Sequence, residues 1–362
     1  MPSSAQRTGI ANLPLHYGKV PPWLFGRMYQ LAREIAIVIV DEFSAEEMLR
    51  RLSDPFWFQA FGCVLGYGWH SSGVTTTVCG ALKEGMRGLE KDLGLFVAGG
   101  KGRTSRKTPA EIEKYGHLLK VNPSPLIYAS RMSAKVDNSA LQDGYQLYHH
   151  AFFFTKDGSW AVVQQGMNEF NRYARRYHWL GEKVIDFVCE PEAAICSQAK
   201  GEALNLVASE SAKARNVIAR IAAEEKPEKI VAQLNKLKTL DLPRRSYITL
   251  EDIHPDRLGK IFTIAYERQP GNFESLLGLE GVGPKTLRAL SLISELIYET
   301  SVSLRDPASY SFAHGGKDGY PYPVDRKTYD SSIQFLAQAL DKAKIGNREK
   351  LDAFRRLRAW QV

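Results

Sequence analysis

The sequence is poor in the features that assign a protein most quickly. Its 362 residues include four cysteines, Cys63, Cys79, Cys189 and Cys196, and no two of them form a CxxC pair. Neither a zinc site nor a disulfide framework is therefore expected. No apolar run is long enough to span a bilayer, and the Met1-Pro-Ser-Ser start lacks a basic-then-apolar leader. A cytoplasmic protein with no membrane partner is the simplest expectation. Acid is not in excess either: 48 Lys and Arg against 40 Asp and Glu leave a formal charge of +8, with a pI near 9.1. That balance mildly favours a polyanionic partner. What remains is ordinary for a soluble globular protein, 44% hydrophobic and 24% charged, and the length suits two domains.

The first half mixes helical and strand patterning. The apolar run 23–40 predicts a buried helix after Pro21-Pro22. Ser44-Ala45-Glu46-Glu47 is a capping box, so a second helix starts there and stops before Pro55. Residues 56–61 are too aromatic for water and are read as core. A glycine-rich turn at 66–73 leads into a helix through Lys83 and Met86, with Ser71 or Ser72 as its N-cap and a start that suits a phosphate. Residues 99–107, carrying Lys101, Arg103 and Arg106, are expected as a flexible basic loop, either simply solvated or a clamp on a nucleic-acid backbone.

Asp157-Gly158 predicts a hairpin between strands 147–155 and 160–165, with a third strand at 126–130. Arg131, Lys135, Asp137, Gln142 and Asp143 follow that third strand, and His149, His150, Gln164 and Gln165 lie on or beside the sheet. Such a set can cut a phosphodiester: cations steady the phosphorane charge, a histidine shuttles a proton, and carboxylates hold a divalent metal. An ordinary polar sheet edge is the other reading. His149 and His150 are neighbours on one strand and face opposite ways, so only one of them reaches a given pocket. Residues 168–179 predict a helix that interleaves Arg172, Arg175 and Arg176 with Tyr173, Tyr177 and Trp179. Its face suits single-stranded or distorted DNA, or else carries snorkelling arginines on a surface.

Glu190-Pro191-Glu192 breaks the pattern. The expected fold class is α+β: a mixed domain over 1–195 with a small antiparallel sheet, then an all-α domain over 196–362. In the second half Ile230, Leu234 and Leu237 mark one amphipathic face. A further helix is expected over 250–267, and Asn272 starts the next. Leu276, Leu279, Val282, Ala289 and Leu290 are then spaced for two short helices to share a seam, with Gly281 and Gly283 between them. That is a helix-hairpin-helix. Its glycines permit a tight backbone and leave amides at the second helix open to a DNA phosphate, a contact that reads no sequence. Gly281, Val282, Gly283, Lys285, Thr286 and Arg288 are the candidate contacts.

Gly281-Val282-Gly283-Pro284-Lys285-Thr286 resembles the hairpin of the helix-hairpin-helix-GPD DNA glycosylases, and Pro323-Val324-Asp325 resembles the segment that carries their catalytic aspartate. The resemblance covers residue 200 to the C-terminus. Over its whole length the chain also resembles a conserved prokaryotic family described as a domain of unknown function. Glu280 stands where many glycosylases have proline, and no cysteine follows Cys196, so the iron–sulfur cluster of some members is not implied. The loop 301–324 is implied to be an insertion over the base pocket, with Tyr310, Tyr320 or Tyr322 for stacking.

What the resemblance implies is excision of a damaged base followed by strand scission. A nucleotide is flipped out of the duplex; Lys285 attacks C1′ and forms a Schiff base; Asp325 stabilises the oxocarbenium-like centre. The hairpin amides hold the neighbouring phosphate, and no cofactor is required. In plainer readings Lys285 only contacts a phosphate and Asp325 only caps the helix expected over 326–340. Two rivals stand beside this one: a nuclease whose site lies around Asp137, Asp143 and His149 or His150, with the hairpin as anchor, and a DNA-binding protein without chemistry.

Overall fold

The computed structural model describes residues 20–67, 72–197, 200–238, 253–308 and 326–359. Helix α1 (Pro22–Glu42) buries Met28, Leu31, Ala32, Ile35, Ala36 and Ile39 along one stripe. The Ser44 hydroxyl accepts the Glu47 amide at 3.1 Å, and α2 (Ala45–Ser53) starts at that cap as predicted. Asp54 caps α3 (Pro55–Leu65), in which Trp57, Phe58 and Phe61 are wholly buried, so the aromatic run is core. Helix α4 (Gly73–Met86) follows; Ser72 makes no side-chain cap bond at its start, and Ser71 lies outside the described residues.

After the single turn α5 (Glu90–Leu93) comes β1 (Leu95–Lys101), which removes Gly99, Gly100 and Lys101 from the expected loop. Gly99 has φ +87, and a Cβ on it would lie 2.2 Å from the His150 carbonyl oxygen, so only glycine lets the two strands approach here. The rest of that basic stretch is a 3-10 turn over Gly102–Lys107, with Arg103 and Arg106 exposed. Next are α6 (Thr108–Lys114) and α7 (Ser124–Lys135). Residues 126–130 are thus helical, not a strand: Leu126, Ala129, Ser130, Met132 and Ser133 bury one face at helical spacing, and Pro125 sits in the first turn, where a missing N–H is tolerated.

Strands β2 (Leu141–Gln142), β3 (Gln146–Thr155) and β4 (Trp160–Asn168) come next, with β3 and β4 forming the predicted hairpin. Residues 168–179 are not a helix. A turn leads into β5 (Tyr173–Leu180), which pairs with β4 along its whole length; its Tyr and Trp suit a pleated, packed surface. With β6 (Ala194–Cys196) these strands form one antiparallel sheet in the order β1-β3-β4-β5-β6. Alternation assigns the faces. Phe96, Phe152, Phe154, Val162 and Trp179 enter one core; Leu95, Val97, Phe153, Ala161, Val163 and Leu180 enter the other.

The second half begins with β7 (Glu202–Asn205), then α8 (Ala212–Glu224) and α9 (Pro227–Lys238), which buries Ile230, Leu234 and Leu237 as predicted. Helix α10 (Pro255–Arg268) starts at its proline after a non-helical His254; residues 250–252 of the helix expected over 250–267 lie outside the described residues. The hairpin helices are α11 (Phe273–Gly278) and α12 (Pro284–Leu296). After β8 (Ser303–Arg305), which joins β7 and β2 in a second antiparallel sheet, the chain ends in α13 (Arg326–Lys342) and α14 (Asn347–Ala359). The half expected to be all-α therefore contributes strands, while the fold as a whole is α+β. Helices α8 to α12 share a core with α7 and one face of the large sheet; α13 and α14 return to α1–α4 on the other face. Segments on both sides of position 195/196 supply each core. Among the described residues no helix is long and apolar enough to cross a membrane.

Candidate functional site

The hairpin forms where its residues predict it. Asn272 and Ser275 cap each other's amides at 2.8 and 3.1 Å to start α11. Leu276, Val282, Ala289 and Leu290 are buried along the seam, joined by Leu277 and Leu287, while Leu279 is half-buried. Gly281 takes φ +83, which a side chain would strain, and Gly283 is the N-cap of α12.

What fixes the hairpin to the rest of the molecule is Lys135, at the end of α7. Its Nζ donates to the carbonyls of Leu277 (2.7 Å), Leu279 (2.5 Å) and Val282 (3.1 Å). The Leu277 and Leu279 oxygens close α11 and the Val282 oxygen belongs to the turn before α12, so one ammonium supplies donors that the helix end and the turn lack. Burial lowers the Lys135 pKa, against the opposing charge of Glu280. Gln142 makes a second clip: its amide nitrogen donates to the Pro284 carbonyl at 2.9 Å, and its oxygen accepts from Arg288 Nε at 2.8 Å. Lys135, expected among nuclease residues, is thus a hairpin support.

Between the hairpin and the segment around β2 lies an open cleft of about 810 Å³. Gly281, Gly283 and Lys285 line it from the hairpin, Tyr145 and Gln146 from the start of β3, and Arg257 from α10. Arg288 and Thr286 also reach it, but the Thr286 side chain is 2% exposed and cannot serve as the phosphate contact expected of it. Lys285 is exposed. Three cations therefore share one wall system with the amide-bearing turn, and no acidic residue lines the cleft among the described residues. Arg257 was not singled out from the sequence; the only signal for it is a basic residue on the helix before the hairpin. Asp325, and with it Tyr310, Tyr320 and Tyr322, lies outside the described residues.

A family model described as "Protein of unknown function (DUF763)" matches residues 9–324. The chain belongs to that family. No curated protein and no solved structure matches it. The matched span includes the large sheet, the hairpin and every described cleft residue.

The remaining candidates are brought together in part, but inside the protein. His150 Nδ1 bonds the Gln164 side-chain oxygen at 2.7 Å and Nε2 bonds the Ser130 hydroxyl at 2.9 Å. The Gln164 amide nitrogen donates to the Ser133 carbonyl (3.0 Å) and to Asp137, so its oxygen can only accept. His150 therefore carries its proton on Nδ1 and accepts from Ser130. Burial lowers its pKa to about 4, with Gln164 opposing. Asp137 also accepts from Trp179 Nε1 at 2.8 Å, and burial beside Glu192 raises its pKa well above the ordinary range. Arg131 is exposed on α7. Asp143 belongs elsewhere, bonded to Arg175 Nη1 at 2.8 Å and the Tyr177 hydroxyl at 2.7 Å.

The expected nuclease set therefore does not converge. Among the described residues no group of three His, Cys, Asp or Glu is placed to hold a metal ion. Arg175 and Arg176 are not DNA contacts either, being 1% and 0% exposed. Arg175 lies against Asp143 and Asp306, and Arg176 Nε donates to His178 Nε2 at 3.0 Å on the opposite sheet face. Arg172, in the β4–β5 turn, remains exposed.

His149 lies on the opposite face from His150, as the alternation requires, and among the described residues neither of its ring nitrogens has a hydrogen-bond partner. Burial lowers its pKa to about 3, aided by His150 and Lys101. A histidine held neutral supports the fold above its unfolded pKa of about 6.5 and loses that support as pH falls towards the folded value. His149→Leu is accordingly expected to lie within about 1 kcal/mol of wild type at pH 7, since no bond is lost. At pH 5 it should outlast wild type by about 2 kcal/mol. Urea unfolding at the two pH values measures both, and parallel curves for the two proteins would refute the assignment.

Proposed function

We propose that the protein binds the phosphate backbone of DNA in the cleft between its helix-hairpin-helix and β2. One observation carries the reading: the turn Gly281–Gly283, which starts α12, opens into the same cleft as Arg257, Lys285 and Arg288. A glycine turn at a helix start and cations on a groove that no acidic residue lines among the described residues suit an anion of repeating charge. Lys135 and Gln142 hold the turn in place, so little ordering is left to binding.

The test is fluorescence anisotropy with a labelled duplex across a salt series. Wild type is expected to weaken steeply with salt, and the triple change Arg257→Gln, Lys285→Gln, Arg288→Gln to lose about ten- to hundredfold in affinity. Its salt slope should fall by about 0.9 for each phosphate contact removed. A wild-type protein that ignores DNA at low salt, or a triple variant that binds equally well, would end the reading.

The exposure of Lys285 on this cleft favours a second and finer reading, base excision with Schiff-base chemistry. Its amine would condense with the ring-opened aldehyde of an abasic sugar and release water. Borohydride should then trap a covalent adduct on abasic DNA that Lys285→Gln abolishes. Absence of the adduct leaves a DNA-binding protein whose Lys285 only touches phosphate.

A further inference from the structure

The β4–β5 turn presents a side chain that the fold does not use. Phe170 is 100% exposed, yet the backbone beneath it is held firmly. Asn168 Oδ1 accepts the amides of Phe170 (2.9 Å) and Asn171 (3.2 Å), Asn171 Oδ1 accepts the Tyr173 amide (2.9 Å), and the Arg172 amide reaches the Asn168 carbonyl at 3.0 Å. Arg172 itself takes φ +60, left-handed backbone that the flanking bonds maintain. These bonds keep the turn from folding over its own phenylalanine. The ring is an apolar surface on a stiff support.

Its position is tied to the cleft. Asn171 Nδ2 donates to the Tyr145 hydroxyl at 3.4 Å, and a Cβ on Gly144 would lie 3.1 Å from Asn168 Nδ2. Gly144 and Tyr145 both line the cleft. Glu169 and Arg172 flank Phe170 with opposite charges and are both exposed, so the turn as a whole offers phosphate no net attraction. What the turn adds next to Gly144 and Tyr145 is a ring, and a ring near a gripped backbone is suited to meet bases.

Building on the backbone-binding reading, we propose that Phe170 stacks on a base that has left the helical stack. The preferred substrate is then DNA with an unstacked base, such as a bulge or a gap, and not a continuous duplex. Every base has a face for stacking, so the preference follows structure and not sequence.

The experiment uses the full chain with two labelled oligonucleotides, a paired duplex and the same duplex carrying one bulged 2-aminopurine. Stacking of one base corresponds to about five- to hundredfold in affinity. Wild type should prefer the bulge by a factor in that range and quench its 2-aminopurine. Phe170→Ala should lose both the preference and the quench while binding the paired duplex within about twofold of wild type, and Phe170→Trp should retain both. The side chain is exposed, so thermal melting of each variant should match wild type. If wild type binds DNA but Phe170→Ala keeps the preference and the quench, the stacking role is wrong and the backbone grip stands. If Phe170→Ala weakens both substrates equally, the ring is a general contact and the proposed preference fails. If wild type binds neither substrate, the underlying reading fails with it.

Discussion

Arg175→Met is expected to destabilise the protein by about 3–5 kcal/mol, the cost of leaving buried charges without their partner. In the native protein the Arg175 guanidinium lies under the surface with Asp143 Oδ2 at 2.8 Å and both oxygens of Asp306 at 2.8 and 2.9 Å. Its carbon is 4.6 Å from the centre of the Tyr145 ring, and the amides of Gly201 and Ala308 each reach Asp306 at 2.9 Å. Methionine fills much of the volume but strands two carboxyls.

The pH dependence checks the cause. Burial alone would raise the Asp306 pKa, but the bonds from Arg175 and the two amides outweigh it and hold the carboxyl below its ordinary value. A depressed carboxyl adds stability above its unfolded pKa of about 3.9 and loses it as pH falls through the folded value. Asp143 goes the other way: burial raises it, and Arg175 with the Tyr177 hydroxyl only offsets part of that. Without Arg175 both carboxyls are pushed towards their neutral forms. The gap between variant and wild type, read from denaturant midpoints, should therefore be widest near neutral pH and close below about pH 4. Adding Asp143→Asn and Asp306→Asn to Arg175→Met should recover part of the loss. A variant that unfolds with wild type at pH 7 would show the cluster to be dispensable.

How much of this was legible in the sequence depended on how far apart the partners are. The hairpin was, because Leu276, Gly281, Gly283 and Leu290 encode it within one short stretch and the apolar seam is local. So were the strands around Asp157-Gly158, and with them the opposite orientations of His149 and His150. Strand β5 was not: arginine is rarely buried, so Arg175 and Arg176 pointed to a surface helix. Their burial is decided by Asp306, 131 positions from Arg175, and by Gln59, 117 from Arg176. Helix α7 was lost for a related reason, since 126–130 is a short apolar run whose strand and helix readings differ only once Met132 and Ser133 are seen to share its buried face. The cleft was legible on its hairpin side and not on the side of Tyr145, Gln146 and Arg257.

Lys135 is the sharpest case, because its partners are backbone oxygens and leave no mark on a sequence. Lys135→Met should cost about 2–4 kcal/mol, less than three separate charged hydrogen bonds would suggest, since the ammonium no longer has to be desolvated. The loss should be local. Leu277 and Leu279 lose the donor to their carbonyls at the turn between α11 and α12, so amide exchange over 276–283 should accelerate well before the sheet is affected. Lys135 is not part of the cleft wall, yet on the backbone-binding reading its loss should weaken DNA binding, because the Gly281–Gly283 amides would have to be ordered again at each encounter. Lys135→Arg keeps the charge, but a planar fork cannot point its donors at three oxygens gathered around one atom, and only partial rescue is expected. If hairpin exchange in Lys135→Met matches wild type, the hairpin is held by its apolar seam alone and the lysine is incidental.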